Sequence, residues 1–157
     1  MLAKIMIIYD SRHGMTEKVA SVVAEGARRV AGTIVELKRA DDLDVQSVAD
    51  ADGYAFGSPS HFGLMSGKIL TALTDLYSVR LKIAGKPMAV FTTGTGGQVT
   101  ALENVERIIG LFNPTFVKPG IAVETVPDRA NPWDIDRVQA ADLGERLAKA
   151  VAKKAKV

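Results

Sequence analysis

Short apolar runs alternate along the chain with longer amphipathic stretches, and this alternation predicts strands that are each followed by a helix. The first run, residues 4–9, is rich in β-branched residues, which is typical of a strand buried on both faces. After it, apolar residues recur at helical spacing along one stripe. The full pattern predicts strands at residues 4–9, 33–38, 53–58, 86–94 and 116–126, and helices at 14–32, 67–79, 98–112 and 131–155.

Strands that alternate with helices favour a parallel sheet, because each parallel connection needs a crossover. We therefore predict a doubly wound α/β fold with about five strands and helices on both faces of the sheet. Pro119 lies within the fifth apolar run and predicts an interrupted or bent strand near an edge. The polar connection at 41–52 has room for one helical turn. A length of 157 residues fits one domain spanning 1–157.

Composition narrows the chemistry available to this chain. Because it contains no cysteine, thiol catalysis, zinc–thiolate sites and iron–sulfur clusters are excluded, so redox chemistry requires a bound organic cofactor. The 20 basic and 18 acidic residues are nearly balanced, which does not favour binding to nucleic acid. The first apolar run ends at Asp10, too early for a signal peptide or a membrane span, so we expect a cytoplasmic protein.

The loop after the first predicted strand, DSRHGMT at 10–16, precedes a helix whose free N–H groups and dipole favour an anion. Gly14 permits a tight turn and a close approach of the backbone to a ligand. Ser11 and Thr16 add hydroxyl donors. The loop therefore suits a phosphate group, although Ser11 or Thr16 can equally be a simple helix cap. It matches neither the nucleoside-triphosphate loop nor the glycine fingerprint of dinucleotide-binding folds.

The loops after the third and fourth predicted strands are also unusual. The segment GSPSHFGLMSG at 57–67 exceeds the two to six residues that are roughly usual for such a connection, and it combines a proline with glycines and an aromatic ring. Phe62 is either a core residue or a stacking surface for a flat ring. The segment TTGTGGQ at 92–98 offers N–H groups and hydroxyls with little bulk, which suits the polar edge of a ring.

These three loops follow parallel strands, and in open α/β sheets ligands bind beyond the carboxyl ends of the strands. Together they supply an anion pocket, a stiffened aromatic wall and a strip of hydrogen-bond donors. A flat aromatic cofactor that carries a phosphate, flavin mononucleotide (FMN), fits these features better than other ligand classes.

At these residues the chain resembles the flavodoxin-like family. DSRHGMT, GSPSHFG and TTGTGG follow one another in register with the family's three flavin loops, over most of the chain. The resemblance is closest to the WrbA-type NAD(P)H:quinone oxidoreductases, whose second and third loops look like SPSHFGLMSGKILTALTD and FTTGTGGQ. It implies a flavodoxin-like, three-layer α/β/α fold, FMN as cofactor, NADH or NADPH as donor, and a quinone or other small acceptor. It also implies a homo-oligomer.

The resemblance further implies which residues contact the flavin. The phosphate would be held by Ser11, Arg12, His13, Gly14, Met15 and Thr16, the ring and ribityl chain by Ser58, Pro59, Ser60, His61, Phe62 and Gly63, and the pyrimidine edge by Thr93, Gly94, Thr95, Gly96 and Gly97. Because the flavin itself carries the chemistry, no catalytic side chain is expected. The chain departs from the pattern of the quinone reductases in three ways: it is shorter, its third loop lacks one glycine, and LFNPTFVKPG stands where those enzymes have a histidine-bearing segment near the ring. Arg12 and His13 lie beside the phosphate position, which plain flavodoxins generally bind without basic side chains.

Three alternatives stay open. A flavodoxin-type electron carrier would deliver electrons to a redox protein, but such carriers usually have an acidic face and a tyrosine or tryptophan over the ring, whereas here Trp133 and the tyrosines lie outside the second and third loops. A phosphoacceptor receiver domain would need an acidic residue where the third strand ends in GSPS. A metal site formed by Asp10, His13 and His61 would leave the loop glycines unexplained.

Overall fold

Strands and helices alternate along the computed structural model, which describes residues 2–125 and 132–156, with the backbone alone described at 132–135. The strands are β1 Ala3–Tyr9, β2 Thr33–Arg39, β3 Gly53–Pro59, β4 Pro87–Gly94, β5 Thr115–Phe116 and β6 Ile121–Glu124. The helices are α1 Met15–Arg28, α2 Val45–Ala49, α3 Gly67–Leu76, α4 Arg80–Ile83, α5 Gln98–Ile109 and α6 Pro132–Ala155. Single turns of 3₁₀ helix lie at Ala40–Asp42, Tyr77–Val79 and Gly110–Phe112.

All strands pair in parallel in the order β2-β1-β3-β4-β5, and β6 also pairs with β4. Because β3 occupies one side of β4, β5 and β6 share the other side as two segments of one edge strand. Pro87 pairs with Thr115 and Phe91 with Ile121, so the edge strand has two more residues between these points than β4 has. Pro119 lies in that bulge. The predicted five-stranded sheet and its interrupted edge are confirmed, while Val126, the last residue of the predicted strand, lies outside the described residues.

The core consists of two apolar layers, one on each face of the sheet. Alternate residues of β1 point to opposite faces: Ile5 and Ile7 pack with α1 and α6, whereas Met6 and Ile8 pack with α3 and α5. Helices α1 and α6 cross so closely that a Cβ on Gly26 would overlap the carbonyl of Ala141. The predicted three-layer α/β/α architecture is confirmed, because both faces of the central strands are covered.

The structure shortens three of the predicted helices. Helix α1 ends at Arg28 rather than 32, and α5 ends at Ile109, where a 3₁₀ turn takes over. Helix α3 begins at Gly67 as predicted and ends at Leu76. The last helix begins at Pro132, as proline suits the first turn. Among the helices that the structure describes, none is long and apolar enough to cross a membrane.

Candidate functional site

The loops that follow β1, β3 and β4 meet at the carboxyl edge of the sheet, as parallel strand order requires. The N–H of Ser60 donates to the carbonyl of Thr93 at 2.7 Å, which ties the second loop to the third. The Oγ1 atoms of Thr16 and Thr93 lie 2.8 Å apart, which ties the start of α1 to the end of β4. The three predicted loops therefore form one continuous site wall.

In the first loop, Gly14 has a φ of 93°, a left-handed conformation in which a Cβ is strained. The Oγ of Ser11 accepts hydrogen bonds from the N–H groups of Gly14 at 3.1 Å and Glu17 at 3.2 Å. Ser11 therefore acts as a cap for one donor of the first turn, although the N-cap position itself is Gly14. Thr16 does not cap the helix, because its side chain is buried against Thr93.

The first turn of α1 keeps free donors in spite of this cap. Within the described part of the chain, the N–H groups of Met15 and Thr16 have no hydrogen-bond partner. The exposed side chains of Arg12 and His13 likewise form no hydrogen bond or ion pair with a described residue. Free N–H groups at a helix start, with two basic side chains beside them, are well suited to an anion.

The carboxylate in the first turn of α1, that of Glu17, is already bound by other side chains. Arg39 pairs with Glu17 at 3.4 Å, and the hydroxyl of Tyr9 donates to the other oxygen of Glu17 at 3.3 Å. Burial raises the pKa of Tyr9, which keeps this hydroxyl protonated as a donor. Arg39 also donates to the carbonyl of Ser11 at 3.4 Å. Glu17 is therefore held by its neighbours, and the guanidinium of Arg12 stays available to a ligand.

The second loop contains a two-residue turn. His61 and Leu64 exchange backbone hydrogen bonds of 2.9 and 3.0 Å, and the residues between them, Phe62 and Gly63, have φ values of 57° and 80°. The Phe62 side chain is completely exposed, with a relative accessibility of 105%. An aromatic residue in a left-handed conformation is strained, and strain of this kind concentrates at functional sites. Of the two roles that the sequence allows for Phe62, the structure excludes the core residue.

Like Ser11 and Thr16, Ser58 uses its hydroxyl within the protein. It is fully buried, donates to the carbonyl of Pro59 at 2.8 Å and accepts from the N–H of Ser66 at 2.9 Å. Ser66 in turn caps α3 by accepting from Ile69. The hydroxyl therefore links the end of β3 to the start of α3, and the expected contact between Ser58 and a ligand stays a prediction.

The third loop passes close to the second, and glycine makes this approach possible. A Cβ on Gly94 would lie 2.9 Å from the Cβ of Ser60, and a Cβ on Gly97 would lie 2.7 Å from its Oγ. Gln98 fastens the loop from the start of α5, since its side-chain oxygen accepts from the N–H of Gly96 at 2.8 Å. Its carbonyl accepts from the hydroxyl of Thr92 at 2.6 Å.

Two adjoining cavities lie between these loops. The first, of about 330 Å³, is lined by Arg12, His13, Met15, Thr16, Pro59, Ser60, His61, Thr93, Gly94, Thr95 and Thr125. The second, of about 660 Å³, is lined by Arg12, Ser60, His61, Phe62, Gly63, Thr95, Gly96, Gly97 and Thr100. Together they have the size of a cofactor site.

Most of the predicted contact residues line these two cavities; Ser11, Gly14 and Ser58 do not. Thr100 and Thr125, which line them, and Gln98, which supports the third loop, are not among the predicted contact residues. Thr125 directly follows β6, so the rule that ligands bind at the carboxyl ends of strands points to it once the end of this strand is known. Gln98 ends the segment TTGTGGQ without a signal of its supporting role, and nothing in the sequence distinguishes Thr100 from ordinary residues of α5.

The metal-site alternative finds no support in the geometry. Within residues 2–125 and the described side chains of α6, no group of three or more histidine, aspartate or glutamate side chains is arranged to hold a metal ion. His13 and His61 both line the first cavity, whereas Asp10 lines neither this cavity nor the second. The three residues that the sequence brought together are therefore not gathered around one point.

Comparison with known proteins agrees with this architecture. No family model matches the chain. A flavodoxin of Aquifex aeolicus is 42% identical over 96 residues, which is 60% of this chain and 52% of that protein, so the match spans about half the length of the curated relative. An archaeal flavodoxin superimposes with a TM-score of 0.83 at 20% identity, covering 95% of this chain and 99% of the other. A flavodoxin, WrbA-like protein of Agrobacterium tumefaciens gives a TM-score of 0.78 at 20% identity, covering 96% and 98%.

These likenesses show that the chain has the flavodoxin-like fold. The sequence similarity to a flavodoxin supports the flavodoxin-like family, whereas the WrbA-type branch is represented by a structural likeness at 20% identity.

Proposed function

We propose that this protein binds FMN at the carboxyl edge of the sheet and carries electrons to a redox protein partner. The observation that carries the proposal is the exposed ring of Phe62, held on a strained turn beside the glycine-rich third loop, with free N–H donors at the other end of the same site. Similarity to the Aquifex aeolicus flavodoxin over 96 residues supports the carrier role.

The phosphate end of the proposed site lies at the start of α1. The free N–H groups of Met15 and Thr16 would donate to phosphate oxygens, and the helix dipole adds to this attraction. The guanidinium of Arg12 and the imidazole of His13 line the same cavity. Because charge-assisted hydrogen bonds to phosphate are stronger than neutral ones, Arg12 would contribute most among these side chains.

The ring end lies between the second and third loops. The exposed face of Phe62 offers a stacking surface, and the backbone of Gly94–Gly97 offers donors without bulk. When bound, FMN supplies both hydride and single-electron chemistry. The side chains of this chain bind and orient the cofactor, and Pro59 and Thr93 close the site towards the sheet.

The second candidate is the NAD(P)H:quinone oxidoreductase that the sequence resemblance favours. The observation behind it is the open site: Phe62 is the only aromatic side chain besides the histidines among the described residues that line the two cavities, so a small acceptor could reach a bound ring. The side chain of Trp133 lies outside the described residues. The comparisons favour the carrier over this enzyme, and quinone reduction, the nicotinamide donor and the homo-oligomer stay predictions.

An absorption spectrum of the purified protein tests the cofactor, because bound flavin gives visible bands. A colourless protein that takes up no added FMN would overturn the proposal. Stopped-flow mixing of the FMN-loaded protein with NADH and NADPH then separates the two candidates. If the protein is a carrier, NADH and NADPH should reduce its flavin slowly, and a quinone should not speed the reoxidation of the reduced flavin. Rapid reduction followed by rapid reoxidation by a quinone would favour the enzyme.

A further inference from the structure

Helix α5 contacts both loops at the proposed ring end of the site. Its buried residues include Ala101, Val105 and Ile109, which are each 0% exposed and anchor the helix in the core. On the side of the loops, a Cβ on Gly63 would lie 3.3 Å from the side chain of Thr100, so the turn of the second loop packs against the first turn of the helix. Because α5 is fixed by the core, hydrogen bonds from its side chains can fix the loops in turn.

Gln98, the first residue of α5, fastens the third loop at two points. Its side-chain oxygen accepts from the N–H of Gly96 at 2.8 Å, and its carbonyl accepts from the hydroxyl of the buried Thr92 at 2.6 Å. Gln98 itself is only 9% exposed. Residues 94–97 include three glycines, and glycine loses more conformational entropy than other residues when a loop is ordered. Such a loop needs bonds of this kind to keep one shape without a ligand.

The bond to Gly96 also selects which N–H groups of the third loop remain for a ligand. Gly96 gives its N–H to Gln98, whereas the N–H groups of Thr95 and Gly97 have no hydrogen-bond partner within the described part of the chain. Thr95 and Gly97 both line the second cavity. Gln98 therefore leaves two free donors at the proposed ring end, on either side of the one that it holds.

Asn104, further along α5, fastens the second loop in the same way. Its side-chain oxygen accepts from the N–H of Met65 at 3.0 Å, three residues after Phe62. The φ of 57° at Phe62 is strained, and strained backbone persists only where the surrounding structure holds it. The bond to Met65 lies directly after the turn, so it holds the conformation in which the Phe62 ring is exposed.

Gln98 and Asn104 line neither of the two flavin cavities, so neither is a direct contact of a ligand there. We infer that α5 presets the slot for the flavin ring, between the Phe62 turn and the third loop, with Gln98 and Asn104 as its positioning residues. This inference rests on the proposed function. Where only a fraction of the protein has its loops in the binding-competent arrangement, the apparent affinity falls by that fraction. Loss of either bond should therefore weaken binding of the ring although no contact to the ring is lost.

The test is a fluorescence titration of the flavin-free protein with riboflavin and FMN. Gln98→Leu and Asn104→Leu each remove the acceptor and should weaken the binding of both flavins by the same factor, about five- to tenfold. Gln98→Glu and Asn104→Asp keep an acceptor oxygen and should restore the affinity for riboflavin to within about twofold of the parent. Gln46→Leu is the matched control: it removes a side-chain oxygen that accepts from Lys82 in an exposed pair, and it should bind both flavins like the parent.

A parent that binds flavin while both leucine variants bind it equally well would overturn this inference and leave the proposed function standing. A loss confined to FMN would also overturn it, because the effect would then lie at the phosphate. Failure of Gln98→Glu and Asn104→Asp to restore binding would overturn the role of the two acceptors. A parent that takes up neither flavin would instead overturn the proposed function itself.

Amide hydrogen exchange tests the two loop bonds without flavin and without any substitution. In the flavin-free parent, the N–H groups of Gly96 and Met65 should exchange more slowly than those of Thr95 and Gly97, which have no partner among the described residues. Equal exchange at all four positions would overturn the preset slot, even if a leucine variant fails to fold.

Discussion

The hydroxyl groups of Thr16 and Thr93 lie 2.8 Å apart and are both buried, so the start of α1 and the end of β4 share one hydrogen bond across 77 positions of sequence. Thr16 belongs to the proposed phosphate end of the candidate site and Thr93 to its glycine-rich end. A bond between them sets the distance between the two halves that a flavin would bridge.

Removing both of these hydroxyl groups should cost less than the sum of the two single removals. Thr16→Val and Thr93→Val each leave a buried hydroxyl without a partner, and each should lower the free energy of unfolding by about 1–2 kcal/mol. The double variant should lose less than the sum, with a coupling of at least about 0.5 kcal/mol. Urea denaturation of the four proteins measures the cycle. Strict additivity would contradict a direct bond.

The left-handed backbone of Phe62 should lower the stability of the protein, while its exposed ring should strengthen FMN binding. Because its φ is 57°, Phe62→Gly relieves strain and should raise the free energy of unfolding of the flavin-free protein by about 0.5–1 kcal/mol. The same variant should bind FMN more weakly, since the stacking surface is lost. Phe62→Ala is the matched control: it also lacks the ring but keeps the strain. A gain in stability in both variants would contradict the strain argument.

The close approach of the second and third loops should not tolerate a methyl group at Gly97. A Cβ there would lie 2.9 Å from the backbone nitrogen of Gly63 and 2.7 Å from Ser60 Oγ, so Gly97→Ala should cost about 1–3 kcal/mol and weaken FMN binding. Gly67→Ala is the control, because a Cβ at that position has no neighbour within 4 Å. Chemical denaturation and FMN titration measure both effects. Equal behaviour of the two variants would contradict the packing.

Arg12 should act on the phosphate of the flavin rather than on its ring. Arg12→Gln should therefore weaken FMN binding by about tenfold and leave riboflavin binding unchanged, because riboflavin has no phosphate. Arg28→Gln removes the same charge at the far end of α1 and should leave both affinities as they are. Fluorescence titration of the two flavins gives the affinities. A loss that is equal for FMN and riboflavin would remove Arg12 from the phosphate site.

Glu106 should make stability depend on pH. Burial raises the pKa of its carboxyl, and Lys118, at 3.9 Å, opposes this only in part. A folded-state pKa above the unfolded value means that the stabilising contribution is present in acid and is lost as the pH rises through the folded pKa. Glu106→Gln should therefore be more stable than the parent near neutral pH, with the difference vanishing in acid below the unfolded pKa of about 4.3.

The periodicity of the apolar residues was sufficient to predict the layered fold, because a strand covered on both faces must be apolar throughout. Pro119 predicted the interrupted edge strand, because proline has no N–H to donate to a neighbouring strand. Loop composition identified the edge of the sheet at which the loops after β1, β3 and β4 meet. The sequence could not locate the ends of α1 and α3, where weak local preferences compete with packing.

Only the tertiary structure decided what individual polar side chains do. Ser58 lies in a loop whose composition suggests a site, but its hydroxyl bonds to the backbone between β3 and α3. Phe62 is a residue type that is equally suited to a core, but its side chain is fully exposed on its turn. The sequence by itself determined the fold and the edge of the sheet at which the candidate site lies, because both follow from patterns of neighbouring residues. The availability of Arg12 depends on distant contacts, which no local pattern encodes.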